Sequence, residues 1–222
     1  MDKFGPVWAN YMERIATNWR AVVKAEDLVL LPGDISWAMT MEEAIKDFEW
    51  LEALPGTKVM IRGNHDYWWS SPSKVRANLP PSLHIIQNDA FSFHGISIGG
   101  TRFWDSPEFN FSHCFGKSFE APPIDEKIYL RELERLELSL KKLDPKARFR
   151  VVMTHYPPIG SDLKPSKVSA LLEKYNVNLS LFGHLHGLQG GKLFGERGGV
   201  DYILVAADYL DFKPKKVISC SF

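Results

Sequence analysis

The stretch NLSLFGHLHG, residues 178–187, runs an apolar segment straight into two histidines set one residue apart between glycines. Val177, Leu179 and Leu181 read as a buried strand, so His184 and His186 stand at its carboxyl end. In a continuing strand the two rings would share a face, and the flanking glycines let the backbone turn there. The whole chain has only seven histidines, so a pair at one strand tip calls for a chemical reason.

The same arrangement recurs at three earlier strand-like runs. Asp34 follows VLLPG, Asn64 and His65 follow VMIRG, and His155 follows RVVMT. Between them lie runs with the three-and-four spacing of helices packed on one face. One is Trp8, Tyr11, Met12, Ile15, Trp19, Val22 and Val23; a second, Met41, Ala44, Ile45, Phe48 and Leu51, is stopped by LPG. A third, Leu130, Leu133, Leu136, Leu140 and Leu143, lies between Pro122-Pro123 and Asp144-Pro145, and PSKVSALLEKY supplies a fourth. Strand and helix alternate, which predicts an α/β fold. In such folds the carboxyl ends of neighbouring strands bring their tips together.

The middle of the chain changes character. LHIIQND, AFSFH and ISIGG predict short meandering strands and a more antiparallel sheet region. Residues Thr101 to Pro123 read as a long irregular excursion, rich in aromatics, glycine and proline, of the kind that covers a site. Trp68 and Trp69 read as packing beneath the GNHD loop, whereas Arg102 and Trp104 are suggested as a pocket lining for a phosphate and an apolar leaving group.

Composition bounds the function. At 222 residues, 45% of them hydrophobic, the chain is expected to form one domain, residues 1–222, with a sizeable core. The 27 basic residues balance the 27 acidic ones, which argues against a broad surface for nucleic acid or anionic lipid. Cys114 and Cys220 lie in no CxxC pattern, and no run is long and apolar enough to span a membrane. A cytoplasmic protein with a localised site is the expectation. A carboxylate, an amide oxygen and imidazoles make a donor set suited to Mn, Fe or Zn.

Taken in order, Asp34, Asn64, His65, Asp66, His155, His184 and His186 resemble the motifs of the calcineurin-like metallophosphoesterases. The resemblance implies two packed mixed β-sheets flanked by helices, an αββα sandwich of four layers, holding two divalent metal ions that hydrolyse phosphate mono- or diesters. It implies that Asp34 bridges both ions, that Asn64, His155 and His184 complete the ligands of one, and that His186 binds the other. It also implies that His65 is the histidine beside the scissile phosphate and Asp66 its partner. A small phosphoester is the implied substrate.

The resemblance departs at the start of the chain. The family pattern opens with a strand ending in Asp-x-His, and no histidine precedes Asp34 here. One metal site then lacks two ligands and the fold its first strand. The expectation is that Met1 is an internal methionine of a longer reading frame. The alternative is a catalytically inactive metal-binding scaffold or regulatory module of the same fold.

Overall fold

The computed structural model describes residues 5–114, 124–188 and 193–219. After a 3-10 turn, Pro6–Trp8, the elements run α1 (Tyr11–Val22), β1 (Leu28–Leu31), α2 (Met41–Glu52), β2 (Thr57–Met60), α3 (Pro72–Ala77), β3 (Leu83–Ile85), β4 (Ala90–Phe93) and β5 (Ile96–Thr101). They continue with α4 (Glu126–Leu140), β6 (Phe149–Thr154), α5 (Lys167–Lys174), β7 (Leu179–Phe182), β8 (Glu196–Arg197) and β9 (Val200–Leu204). Local chemistry explains the helix starts. Thr40 and Glu43 close a reciprocal capping box on α2, and the Asp125 carboxylate accepts from the N–H groups of Lys127 and Ile128 to open α4.

The strands form two sheets, one of three in the order β1-β2-β3 and one of six in the order β4-β5-β6-β7-β9-β8. The first is parallel throughout, and so is the centre of the second, where β5, β6, β7 and β9 run together. Antiparallel pairing is confined to the margins, β4 with β5 and β8 with β9. The expected antiparallel meander is therefore corrected at β3, which pairs parallel with β2 in the smaller sheet.

Period-2 alternation divides the apolar residues among three cores. Met60 packs with Ala16, Trp19, Ala44, Phe48 and Leu51 beneath α1 and α2. Its neighbours Val59 and Ile61 point the other way, into a layer shared with Ile98, Val151, Met153, Leu179 and Leu181 of the larger sheet. Val152 and Phe182 face outward again, against Tyr129, Leu136 and Leu140 of α4 and Val168 and Leu172 of α5. Helices, sheet, sheet, helices is the stacking that the family resemblance implies.

The excursion from Thr101 does more than cover a site. Phe103, Phe111 and Cys114 are buried in the core under α4, and residues 115–123 lie outside the described region. KKVISCSF, a strand-like run in sequence, forms no strand as far as Ser219. Among the described residues β1 has one strand partner, β2. Its opposite edge borders an apolar groove of about 2040 Å³ lined by Ile15, Trp19, Leu28, Leu30, Val151, Leu181 and Val217, among others. No described helix is long and apolar enough to cross a membrane.

Candidate functional site

The groove opens at one end onto the carboxyl tips of four parallel strands. Loops after β1, β2, β6 and β7 carry Asp34, Asn64, His155 and His184, and they meet closely. Gly33 is at φ +89°, and a Cβ on it would lie 2.7 Å from both the Gly63 backbone and His155 Nδ1. A Cβ on Gly63 would fall 2.1 Å from Asp34 Oδ1. Only glycine lets these two loops cross. Asp34 and His184 themselves sit in the left-handed region, at φ 55° and 68°. Such conformations are uncommon for residues with a side chain and persist where surrounding contacts hold them.

What holds the first two loops is Asp66. Its fully buried carboxylate accepts from the backbone N–H groups of Gly63 (2.6 Å), Asp34 (2.9 Å), Ile35 (2.8 Å) and Ser36 (3.0 Å), and from the Trp68 indole N–H (3.2 Å). Burial pushes this carboxyl up to about 6, against the downward pull of the Ser36 and Gly63 N–H groups. The expected pairing of Asp66 with the His65 ring is thus corrected. Ring Nδ1 of His65 meets the Tyr67 hydroxyl at 2.9 Å instead, while the His65 N–H donates to Asp34 Oδ1. Asp66 is committed to five donors within the fold, which leaves it no lone pair aimed at the imidazole.

Asn64, His155 and His184 come together around a small space. His155 Nε2 lies 2.6 Å from Asn64 Oδ1, 3.3 Å from His184 Nδ1 and 3.5 Å from Asp34 Oδ1, and His184 Nδ1 lies 3.2 Å from Asn64 Oδ1. His155 Nδ1 faces the Pro32 carbonyl at 2.9 Å. A carbonyl can only accept, so Nδ1 carries the proton and Nε2 turns a lone pair inward. Burial holds both imidazoles neutral, pushing His155 and His184 down to about 3. The His155 Nε2 lone pair, the oxygens of Asn64 and Asp34 and the His184 Nδ1 therefore converge, an arrangement that a shared proton or a cation satisfies.

The spacing suits a cation. Nitrogen and oxygen ligands about 2.0–2.1 Å from a tetrahedral ion stand roughly 3.4 Å from one another, and three of the four contacts fall at 3.2–3.5 Å. The remaining one, between His155 and Asn64, is shorter, at hydrogen-bond length. Among the described residues no group of three or more His, Cys, Asp or Glu side chains is arranged to hold a metal ion. Asp34, His155 and His184 are three such side chains, and their present spread is not that of a formed metal site.

His186 stands outside the knot. Its Nδ1 is 2.7 Å from Asp208 Oδ1, the other Asp208 oxygen accepts from the Gly187 N–H, and Trp8 lies edge-on at 5.4 Å between ring centroids. Asp208 is a residue that the sequence reading missed. It follows β9, a fifth parallel strand, and its position just past that strand's carboxyl end was the available signal.

The aromatic surroundings are also redistributed. Arg102 is drawn inward, 3.5 Å from the buried Glu132 and over the Trp104 ring, so this pair does not form the open phosphate and leaving-group lining suggested by sequence. Trp104 instead packs on Tyr156, whose ring lies 4.0 Å from that of His184. Trp68 and Trp69 are buried beneath the loop as expected. On the outer side Trp37 stacks on His65, with ring centroids 4.0 Å apart and planes at 18°.

The family model for calcineurin-like phosphoesterases matches residues 8–188, which contain both glycine-crossed loops and both later strand tips. The chain belongs to the calcineurin-like phosphoesterase family. Its members are phosphoester hydrolases that in general use divalent metal ions, and the sheets and helices described above are consistent with their fold. No curated protein matches the chain.

Proposed function

We propose that this calcineurin-like phosphoesterase hydrolyses a small phosphate mono- or diester with the help of a divalent ion, Mn, Fe or Zn. The observation that carries the reading is the convergence of His155 Nε2, His184 Nδ1, Asn64 Oδ1 and Asp34 Oδ1 at four strand tips beside His65. These four atoms would hold one ion. Once bound, such an ion acts as a Lewis acid on a phosphoryl oxygen and acidifies bound water. Everything else falls to the protein's own groups.

His65 is read as the group that hands a proton to the leaving alkoxide. As an acid the ring is an imidazolium, whose Nδ1–H can donate to the Tyr67 hydroxyl 2.9 Å away while Nε2–H serves the leaving oxygen. Asp66 is read as a positioning residue: it fixes the backbone of Asp34 and Gly63 so that the donor atoms meet. Among residues 34–41 and 65–71, which flank His65, there is no lysine or arginine, so the approach favours a small ester over a nucleic acid backbone.

A second reading rests on His186. In the family a second ion is expected, yet Asp34 and His186 are the only residues here assigned to it, and His186 is engaged by Asp208. That favours a metal-binding scaffold of the same fold without turnover. One experiment separates the two readings. The chain is loaded with Mn²⁺, freed of excess, and assayed for bound metal by elemental analysis and for hydrolysis of p-nitrophenyl phosphate and its diester. One ion per chain with turnover lost in Asn64→Ala supports the hydrolase. One ion without turnover supports the scaffold, and no bound ion refutes both.

A further inference from the structure

Trp37 and Tyr67 are both substantially exposed, 42% and 47%, and both touch His65. Exposure of one aromatic ring is ordinary, but these two sit on segments that are held rigidly. The N–H groups preceding Trp37 are bound by Asp66, the Trp68 indole donates to the Ser36 carbonyl, and Ser36 Oγ bonds both Asp47 and the Ala38 N–H. Tyr67 is fixed by its own N–H to the His65 carbonyl and by its hydroxyl to the imidazole. The indole lies parallel to the imidazole and the phenol stands across it at 81°. Together they make a preformed corner of aromatic surface facing solvent, with Met39 beside it in sequence and 66% exposed.

Rigid, exposed aromatic side chains are the kind that recognition sites use, because little conformational freedom is lost when a ligand covers them. We infer that Trp37 and Tyr67 form a stacking subsite for a planar aromatic leaving group, so that the substrate class is an aryl or nucleoside phosphoester. The inference rests on the reading above that His65 serves the leaving group. A group bonded to the leaving oxygen lies next to His65, and the indole, stacked on the imidazole with centroids 4.0 Å apart, sets an aromatic platform beside that position. Absence of lysine and arginine from residues 34–41 and 65–71 argues against a second phosphate on the leaving side.

The test compares two phosphonates of equal charge and similar apolar bulk, benzylphosphonate and cyclohexylmethylphosphonate, with inorganic phosphate as reference. Each is titrated calorimetrically into the Mn²⁺-loaded chain. Stacking on an aromatic side chain contributes about 1–3 kcal/mol, so benzylphosphonate is expected to bind about tenfold more tightly than its cyclohexyl counterpart. Trp37→Ala and Trp37→Leu, the second retaining bulk without a planar face, should each abolish that preference and leave phosphate affinity within about twofold. Equal binding of the two phosphonates, or a preference that survives both substitutions, overturns the subsite and leaves the phosphoester reading standing. Failure of all three ligands to bind overturns the phosphoester reading and the subsite with it.

Discussion

At the level of single residues, Asp66 separates a catalytic from a structural role. Its carboxylate is the common acceptor for four backbone N–H groups drawn from two loops about thirty residues apart. Each donor left buried without a partner costs about 1–3 kcal/mol. Asp66→Ala is therefore expected to destabilise the chain by more than about 3 kcal/mol, seen as a lower urea midpoint. His65→Ala, at a partly exposed ring, should shift the midpoint little and act on turnover instead. If Asp66→Ala unfolds at the parent's urea concentration, the clamp is not what orders these loops. Nothing near Asp66 in sequence advertises this role, because its partners are backbone groups, which every residue carries. The strand-tip residues were legible for the opposite reason: a glycine breaks three of the four apolar runs, Thr154 ends the other, and each run leaves a distinctive side chain behind it. The pairing of Asp208 with His186 and the Trp37 stack were illegible because each is a contact across the fold, although Asp208 does stand past a strand's carboxyl end.

Protonation at the same residues sets a pH dependence whose sign can be worked through. His155 and His184 titrate near 3 in the fold and near 6.5 when free of it, so the unfolded chain takes up protons as the pH falls below 6.5. Their contribution to stability is whole above that value and is lost on acidification. Asp66 runs the other way: its folded value of about 6 exceeds the ordinary 3.8, so between about pH 4 and 6 the folded form holds the extra proton. Two imidazoles against one carboxyl leave roughly one proton taken up on unfolding, so stability falls by on the order of 1 kcal/mol per pH unit between 6 and 4. Urea melts of the metal-free chain at pH 4, 5, 6 and 7 measure the slope; a flat profile would mean that the imidazoles are not buried neutral.

Among the elements, the decisive feature is the crossing of the loops after β1 and β2. Gly63 has no room for a methyl group, since the new carbon would lie 2.1 Å from Asp34 Oδ1. Gly63→Ala must push Asp34 out of place, and Asp34 in turn holds the His65 N–H. Loss of Mn²⁺ binding by at least tenfold is expected, with α4 and α5 and the core beneath them unaffected by circular dichroism. Retained Mn²⁺ affinity in Gly63→Ala would show that Asp34 is not among the ligands. Element identity was largely legible, because helical and strand periods differ and proline or glycine punctuates them. Sheet membership was less so. Leu83–Ile85 is two apolar residues around His84 beside two similar runs, and its parallel pairing with β2 follows from the intervening α3 rather than from anything in the strand itself.

For the whole molecule the groove along β1 dominates. Protein interiors are close-packed, with few voids larger than a water molecule, whereas here about 2040 Å³ lies between α1, the outer edge of β1, the larger sheet and the segment at Val217. Leu28 and Leu30 are only partly buried although they pack on the central core. An edge strand of apolar residues with pairing groups to one side is a template for further strand addition, and wet apolar walls of this extent withhold stabilisation of about 25 cal/mol per Å² of surface left uncovered. The 222-residue chain alone should therefore bind a hydrophobic dye such as anilinonaphthalene sulfonate and sediment as concentration-dependent oligomers. Lysine at Leu30, in the middle of the open edge, should suppress the oligomers by placing a charge where a second strand would pair. A monomeric, dye-silent chain with a sharp, high melting transition would mean that the groove closes in solution, and that α1 and the segment at Val217 pack directly against β1.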